Sequence, residues 1–140
     1  MAIFKYIPLF ALLLVGFWGG HRIGLFPEKL NHVIHHVGLP SGATWKPTWG
    51  DVIVLLGLVT LYIELFKSTR TTSISIIDHT LSTITFVAYL VVWMIFPWSI
   101  GEKSNSTFLF LAVMSFIDVI AGFTITIAAA RRDFLMGGKG

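Results

Sequence analysis

Acidic side chains are scarce in this chain, seven among 140 residues, and several stand where an acid is hardest to keep. Asp118 lies at the middle of an apolar stretch running from about 107 to 130. A charged group at the centre of a bilayer costs about 2.5–3.5 kcal/mol on insertion scales, so Asp118 must face protein or water. Ser115, Asp118, Gly122, Thr126 and Ala129 form one stripe of small and polar residues, the pattern that lets membrane helices approach closely and hydrogen-bond. In the preceding apolar stretch Asp78, Ser82 and Thr85, at i, i+4 and i+7, form a comparable stripe. Glu64, Asp78 and His79 share a depth nearer the basic helix ends, where Lys67, Arg70 and Arg131 are near enough to compensate them. Two chemistries are open to these groups. One is a proton or ion path from Asp118 to the Glu64–Asp78–His79 cluster. The other is hydrogen bonding that fixes helix register. The second is favoured, because the far halves of the two stretches, VVWMIFPW and TFLFLAVM, provide no polar exit.

The histidines suggest a different chemistry. Leu30, Val33, Ile34 and Val37 recur at i, i+3, i+4 and i+7, which predicts an amphipathic helix over about 27–38 lying on the membrane surface. Pro27 suits its first turn and Gly38 with Pro40 end it. His32, His35 and His36 fall on the polar face, and Glu28, His32 and His35 lie within about 60° of one another at 100° per residue. Side chains one turn apart in this way can converge on zinc or copper. The spacing is no known metal signature, and an interfacial helix whose polar face carries histidines is the favoured reading. No cofactor is predicted. A b-type haem needs two histidines deep in the membrane, and only His79 falls within a predicted span. The chain has no cysteine, which excludes disulfides, Cys-ligated zinc and iron–sulfur clusters. There is no G-x-S-x-G, no phosphate loop and no Ser/His/Asp set at one depth. An enzyme is not expected. Asn105-Ser106-Thr107 reads as an accidental glycosylation sequon against a helix start.

The elements that position these residues follow from composition. Apolar residues make up 55% of the chain and charged residues 12%, against about 25% charged in soluble domains. The mean hydropathy is +0.81. A spanning helix needs about 20 mostly apolar residues, and four segments are predicted to span: about 3–20, 49–66, 75–96 and 107–130. Trp18, Trp45 and Trp49 fall at interfacial positions. The expected fold is therefore all-α, a single polytopic membrane domain of four transmembrane helices plus the short surface helix, with a periplasmic loop at 21–48. The first segment resembles a signal peptide, but no A-x-A site follows it, so it is expected to stay as a span. The net charge of +3 would raise nucleic acid in a soluble protein. Here the basic residues lie at helix ends and in loops, where they set orientation instead, and no nucleic acid is expected.

With both termini cytoplasmic, Lys5, Lys67, Arg70, Arg131, Arg132 and Lys139 lie inside, and Arg22, Lys29, Lys46 and Lys103 lie outside. The 67–74 turn and the Arg131–Arg132 pair sit tightly at helix ends, where the positive-inside rule has most weight.

Two stretches, WGDVIVLLGLVTLYIELFKSTR with SIIDHTLS and FIDVIAGFTITIAAARRDF, resemble a group of small four-helix inner-membrane proteins of proteobacteria. Asp51, Glu64, Asp78, His79, Asp118, Arg131 and Arg132 carry the resemblance, which covers roughly residues 49–134. It implies a bacterial inner membrane and no activity. The leading expectation is a non-catalytic accessory or structural subunit packed against a larger inner-membrane complex. Two alternatives stay open: a small oligomeric ion, proton or solute carrier using Asp118 and Glu64, and a periplasm-facing metal-binding or sensing protein. Phe86, Tyr89, Trp93, Phe108 and Phe110 are expected at exposed positions suited to lipid contact and helix packing.

Overall fold

In the computed structural model, residues 7–26, 28–69, 74–96 and 106–137 are described. The described part of the chain is 77% helix. Four helices carry it: α1 (Leu9–Arg22), α2 (Trp49–Ser68), α3 (Ile74–Ile95) and α4 (Thr107–Gly137). Between α1 and α2 lie a 3₁₀ turn at Glu28–Asn31 and a two-stranded hairpin, β1 (Val37–Gly38) and β2 (Thr44–Trp45).

Three helices, α2, α3 and α4, are long and apolar enough to cross a membrane. α1 is apolar but has 14 residues, about 21 Å at 1.5 Å per residue, less than the ~30 Å of hydrocarbon. It starts at Leu9 after Pro8, and the rest of the expected 3–20 span, with Lys5, lies outside the described residues. Its opening N–H groups have no partner within the helix. One of them, from Leu9, is taken by the carboxylate of Glu64 on α2.

Neighbouring helices run alternately up and down. Tyr89 near the end of α3 packs against Phe108 at the start of α4, and His79 near the start of α3 meets Thr126 late in α4. α2 and α4 therefore run parallel, with Gly57 packed against Leu111 and Met114. Their close approach needs a residue without a side chain: a Cβ on Gly57 would sit 2.7 Å from Leu111. The start of α1, the end of α2 and the start of α3 share one end of the bundle, here the charged end. The 21–48 connection caps the other. α2 begins there with a capping box, in which Thr48 and Asp51 satisfy each other's backbone N–H groups, so Asp51 has a local structural task.

The apolar core is Phe10, Phe17, Leu30, Tyr89, Phe108, Leu111, Ala112 and Met114. Tyr89 and Phe108 are each 0% exposed, so these two expected lipid-facing aromatics are core residues instead. Tyr89 tolerates burial because its hydroxyl donates to the carbonyl of Phe10 at 3.0 Å. Phe110 is exposed as expected.

The connection differs most from its sequence pattern. The amphipathic helix expected over 27–38 is replaced by the single turn at Glu28–Asn31 and then extended chain. The backbone finds partners in the returning strand: Ile34 N–H donates to the Pro47 carbonyl at 2.8 Å and Trp49 N–H to His32, and Val33 bridges Thr48. β-branched Val33, Ile34 and Val37 are weak helix formers. Pro40-Ser41-Gly42 makes the tight reversal, with Gly42 at φ +83°, a conformation glycine adopts without steric cost. The i, i+3, i+4 pattern was real but served only Leu30, which is fully buried. At the other end α4 continues to Gly137, so Arg131 and Arg132 belong to the helix rather than following it.

Candidate functional site

Each helix brings its polar stripe to the bundle interior. On α2 the buried face is Gly50, Gly57, Thr60, Glu64 and Ser68. On α3 it holds Asp78, His79, Ser82 and Thr85, and on α4 Ser115 and Asp118. The spacings read from the sequence on α3 and α4 thus mark the inward faces. Thr60 was not singled out from the sequence. It lies one turn before Glu64 and after Gly57, and that G-x-x-T-x-x-x-E spacing was its available signal.

At the charged end Lys67 organises the cluster. Its ammonium lies 3.2 Å from Glu64 Oε2 and 2.6 Å from Asp78 Oδ1, and donates to the Ile7 carbonyl at 3.4 Å. Glu64 is 1% exposed and Asp78 5%, and carboxylates so buried are tolerable only when paired and hydrogen-bonded. Glu64 does two jobs, since its other oxygen caps α1, where the helix dipole favours negative charge. Lys67 is thus the compensating cation. Arg131 is exposed on α4, and Arg70 lies outside the described residues. Ser68 closes this end by donating to the Glu64 carbonyl at 2.8 Å.

His79 belongs to the α3–α4 seam. Its Nε2 is 2.7 Å from Thr126 Oγ1, and its ring lies against Phe123. A Cβ on Gly122 would come within 2.8 Å of the ring, so Gly122 is the opening that admits the imidazole. Asp118, farther from the charged end, takes a hydrogen bond from Ser82. Its Oδ2 and the Oγ of Ser115 are buried with no hydrogen-bond partner among the described residues. Thr85 donates to the Leu81 carbonyl one turn back at 2.9 Å.

The candidate metal face is not assembled. With no helix over 27–38, the 100° periodicity that grouped Glu28, His32 and His35 no longer applies. All three, with His36, are exposed. Among the described residues no three or more His, Asp or Glu side chains gather as metal ligands. Of the positions named on the helices, Glu64, Asp78, His79, Ser82, Thr85, Ser115, Asp118 and Gly122 are buried, and Thr126 is half-buried against His79. The arrangement can neutralise charge, cap a helix and hold three helices in register.

No family model, curated protein or solved structure matches the chain.

Proposed function

We propose that the protein is a small integral membrane protein acting as a non-catalytic accessory or structural subunit of a larger complex in the bacterial inner membrane. One observation carries this reading: the charged side chains gathered at one end of the bundle, Glu64, Lys67 and Asp78, are spent on the chain's own architecture. Glu64 and Asp78 share Lys67, Glu64 also caps α1, and His79 fastens α3 to α4. Groups committed in this way are poorly placed to bind and release a passing solute. Toward the opposite end the interior is closed by Phe17, Tyr89 and Phe108, which supports the absence of a polar path. Meanwhile the outward faces are broadly apolar, as at Leu55, Val59, Tyr62 and Phe66 on α2 and Phe116, Ile120 and Phe123 on α4. Lipid covers such faces, and so does a larger membrane partner.

The topology proposed has both termini in the cytoplasm. The common end shared by the start of α1 and the α2–α3 connection is compatible with it, and Lys67, Arg70, Arg131 and Arg132 give it its sign. A carrier reading draws on the unpartnered Asp118 and Ser115 oxygens. It needs a relay group that gains and loses charge.

Purification in mild detergent tests the proposal. A stoichiometric larger membrane partner is the expected result. A pure homo-oligomer, together with ion or proton flux in proteoliposomes that Asp118→Asn abolishes, would replace the subunit reading with the carrier.

A further inference from the structure

Inside the bundle three helices present buried hydroxyl and carboxyl side chains over two adjacent turns. Ser82 on α3 donates to Asp118 on α4. The antiparallel course of these helices, fixed by the His79–Thr126 and Tyr89–Phe108 contacts, puts Thr85 opposite Ser115, one turn farther from the charged end. α2 runs parallel to α4. The packing of Gly57 on Leu111 and Met114 therefore carries Thr60, one turn on, to the level of Ser115 and Asp118. All five residues are buried, none more than 6% exposed.

Two atoms in this layer are unaccounted for. Ser115 Oγ and Asp118 Oδ2 are buried without a hydrogen-bond partner among the described residues. A helical serine or threonine ordinarily returns its hydroxyl to a carbonyl one turn back, as Thr85 does, but Ser115 does not. Charge points the same way. Lys67 is held between Glu64 and Asp78, and Asp118 forms no ion pair among the described residues. A buried carboxylate oxygen and a buried hydroxyl oxygen on one helical face thus lack a positive or donating partner, and buried polar groups are rarely left so.

We propose that Asp118, Ser115, Ser82, Thr85 and Thr60 bind a sodium ion between α2, α3 and α4. The donor set is all oxygen, as a hard cation requires. Its single carboxylate matches one positive charge, whereas calcium draws several charged ligands and magnesium keeps several waters. Bound there, the ion replaces the missing partner of Asp118 Oδ2 and ties three helices together. The site does not rest on the subunit reading, because an ion can hold the bundle with or without a partner complex.

Equilibrium binding of radioactive ²²Na⁺ to the detergent-purified full chain tests it. Saturable, stoichiometric binding is expected, displaced by unlabelled sodium and far less by potassium. Tm should rise with sodium when choline replaces it at constant ionic strength. Asp118→Asn should abolish both effects. Ser115→Ala should weaken binding by about tenfold or more, the scale on which ligand-shell changes act. Thr124→Val, on the exposed side of α4, should change neither. If Asp118→Asn does not fold, Ser115→Ala and Thr85→Val carry the test. Absence of saturable sodium binding to the wild-type chain, as when a water fills the gap, overturns the proposal. So does binding that Ser115→Ala and Thr85→Val leave unchanged.

Discussion

At the charged end of the bundle one lysine ammonium stands within 3.2 Å of two carboxylates, and a helix N-terminus takes a further oxygen of one of them. In the Asp118 layer a carboxylate meets a serine hydroxyl and keeps one buried oxygen without a partner among the described residues. The two layers use similar residue types at similar burial. They differ in whether a cation is built into the chain. Where Lys67 is present, the acids become connectors that join α1, α2 and α3. Where none is, small residues and hydroxyls pack the seam and an acceptor stays open. Buried acids therefore cannot be read for function from depth and spacing alone, because the nearest cation decides what they are for.

Breaking the charged layer should produce the largest effect. Lys67→Met leaves Glu64 and Asp78 buried without their cation, and removing one partner of a buried pair costs about 3–5 kcal/mol. The loss should appear in reversible unfolding in mixed micelles, and adding Glu64→Gln and Asp78→Asn should recover much of it. If Lys67→Met alone is as stable as wild type, the contrast between the layers fails.

Next comes the α3–α4 seam. Gly122→Leu would drive a side chain into the His79 imidazole, which a Cβ alone would approach to 2.8 Å. Overpacking of this kind costs about 1–3 kcal/mol. The expected signature is a lowered Tm partly restored by His79→Ala, since the smaller side chain gives back the space.

A smaller change is expected where Tyr89 reaches the first turn of α1. Tyr89→Phe keeps the packing on Phe108 and removes the hydroxyl bond to the Phe10 carbonyl, and interhelical bonds in membranes average about 0.6 kcal/mol. A modest drop in unfolding free energy, with α1 more accessible to cysteine labelling introduced at Leu9, would fit. A loss as large as that of Lys67→Met would show that the Tyr89 bond, not the Lys67 cluster, holds the start of α1.

The smallest effect is predicted in the connection. His32→Ala should leave stability unchanged and the zinc and copper content after dialysis unaltered. Stoichiometric metal in the wild-type chain that disappears with His32 would restore the metal reading and give this region a chemistry of its own.

What the sequence determined by itself is what depends on composition and on one-helix periodicity. The apolar stretches behind α2, α3 and α4 follow from length and residue type, since no small soluble core could cover so much apolar surface. The inward faces of α3 and α4 follow too, because Asp78, Ser82 and Thr85, and Ser115 with Asp118, repeat at helical spacing whatever packs on them. Everything that required a second element was decided by the tertiary structure. The helical period of Leu30, Val33, Ile34 and Val37 described a face but not its competitor, the strand returning through Pro47 and Thr48, whose backbone groups satisfy Ile34 and Trp49 instead. Tyr89 reads as a lipid-facing aromatic until the Phe10 carbonyl lies within reach of its hydroxyl. Glu64 shows its depth in the sequence, but its role as the cap of α1 depends on a contact 55 residues away. Local propensity is a property of neighbours in the chain. Pairing of charges and of backbone groups is a property of neighbours in space, and only the fold supplies those.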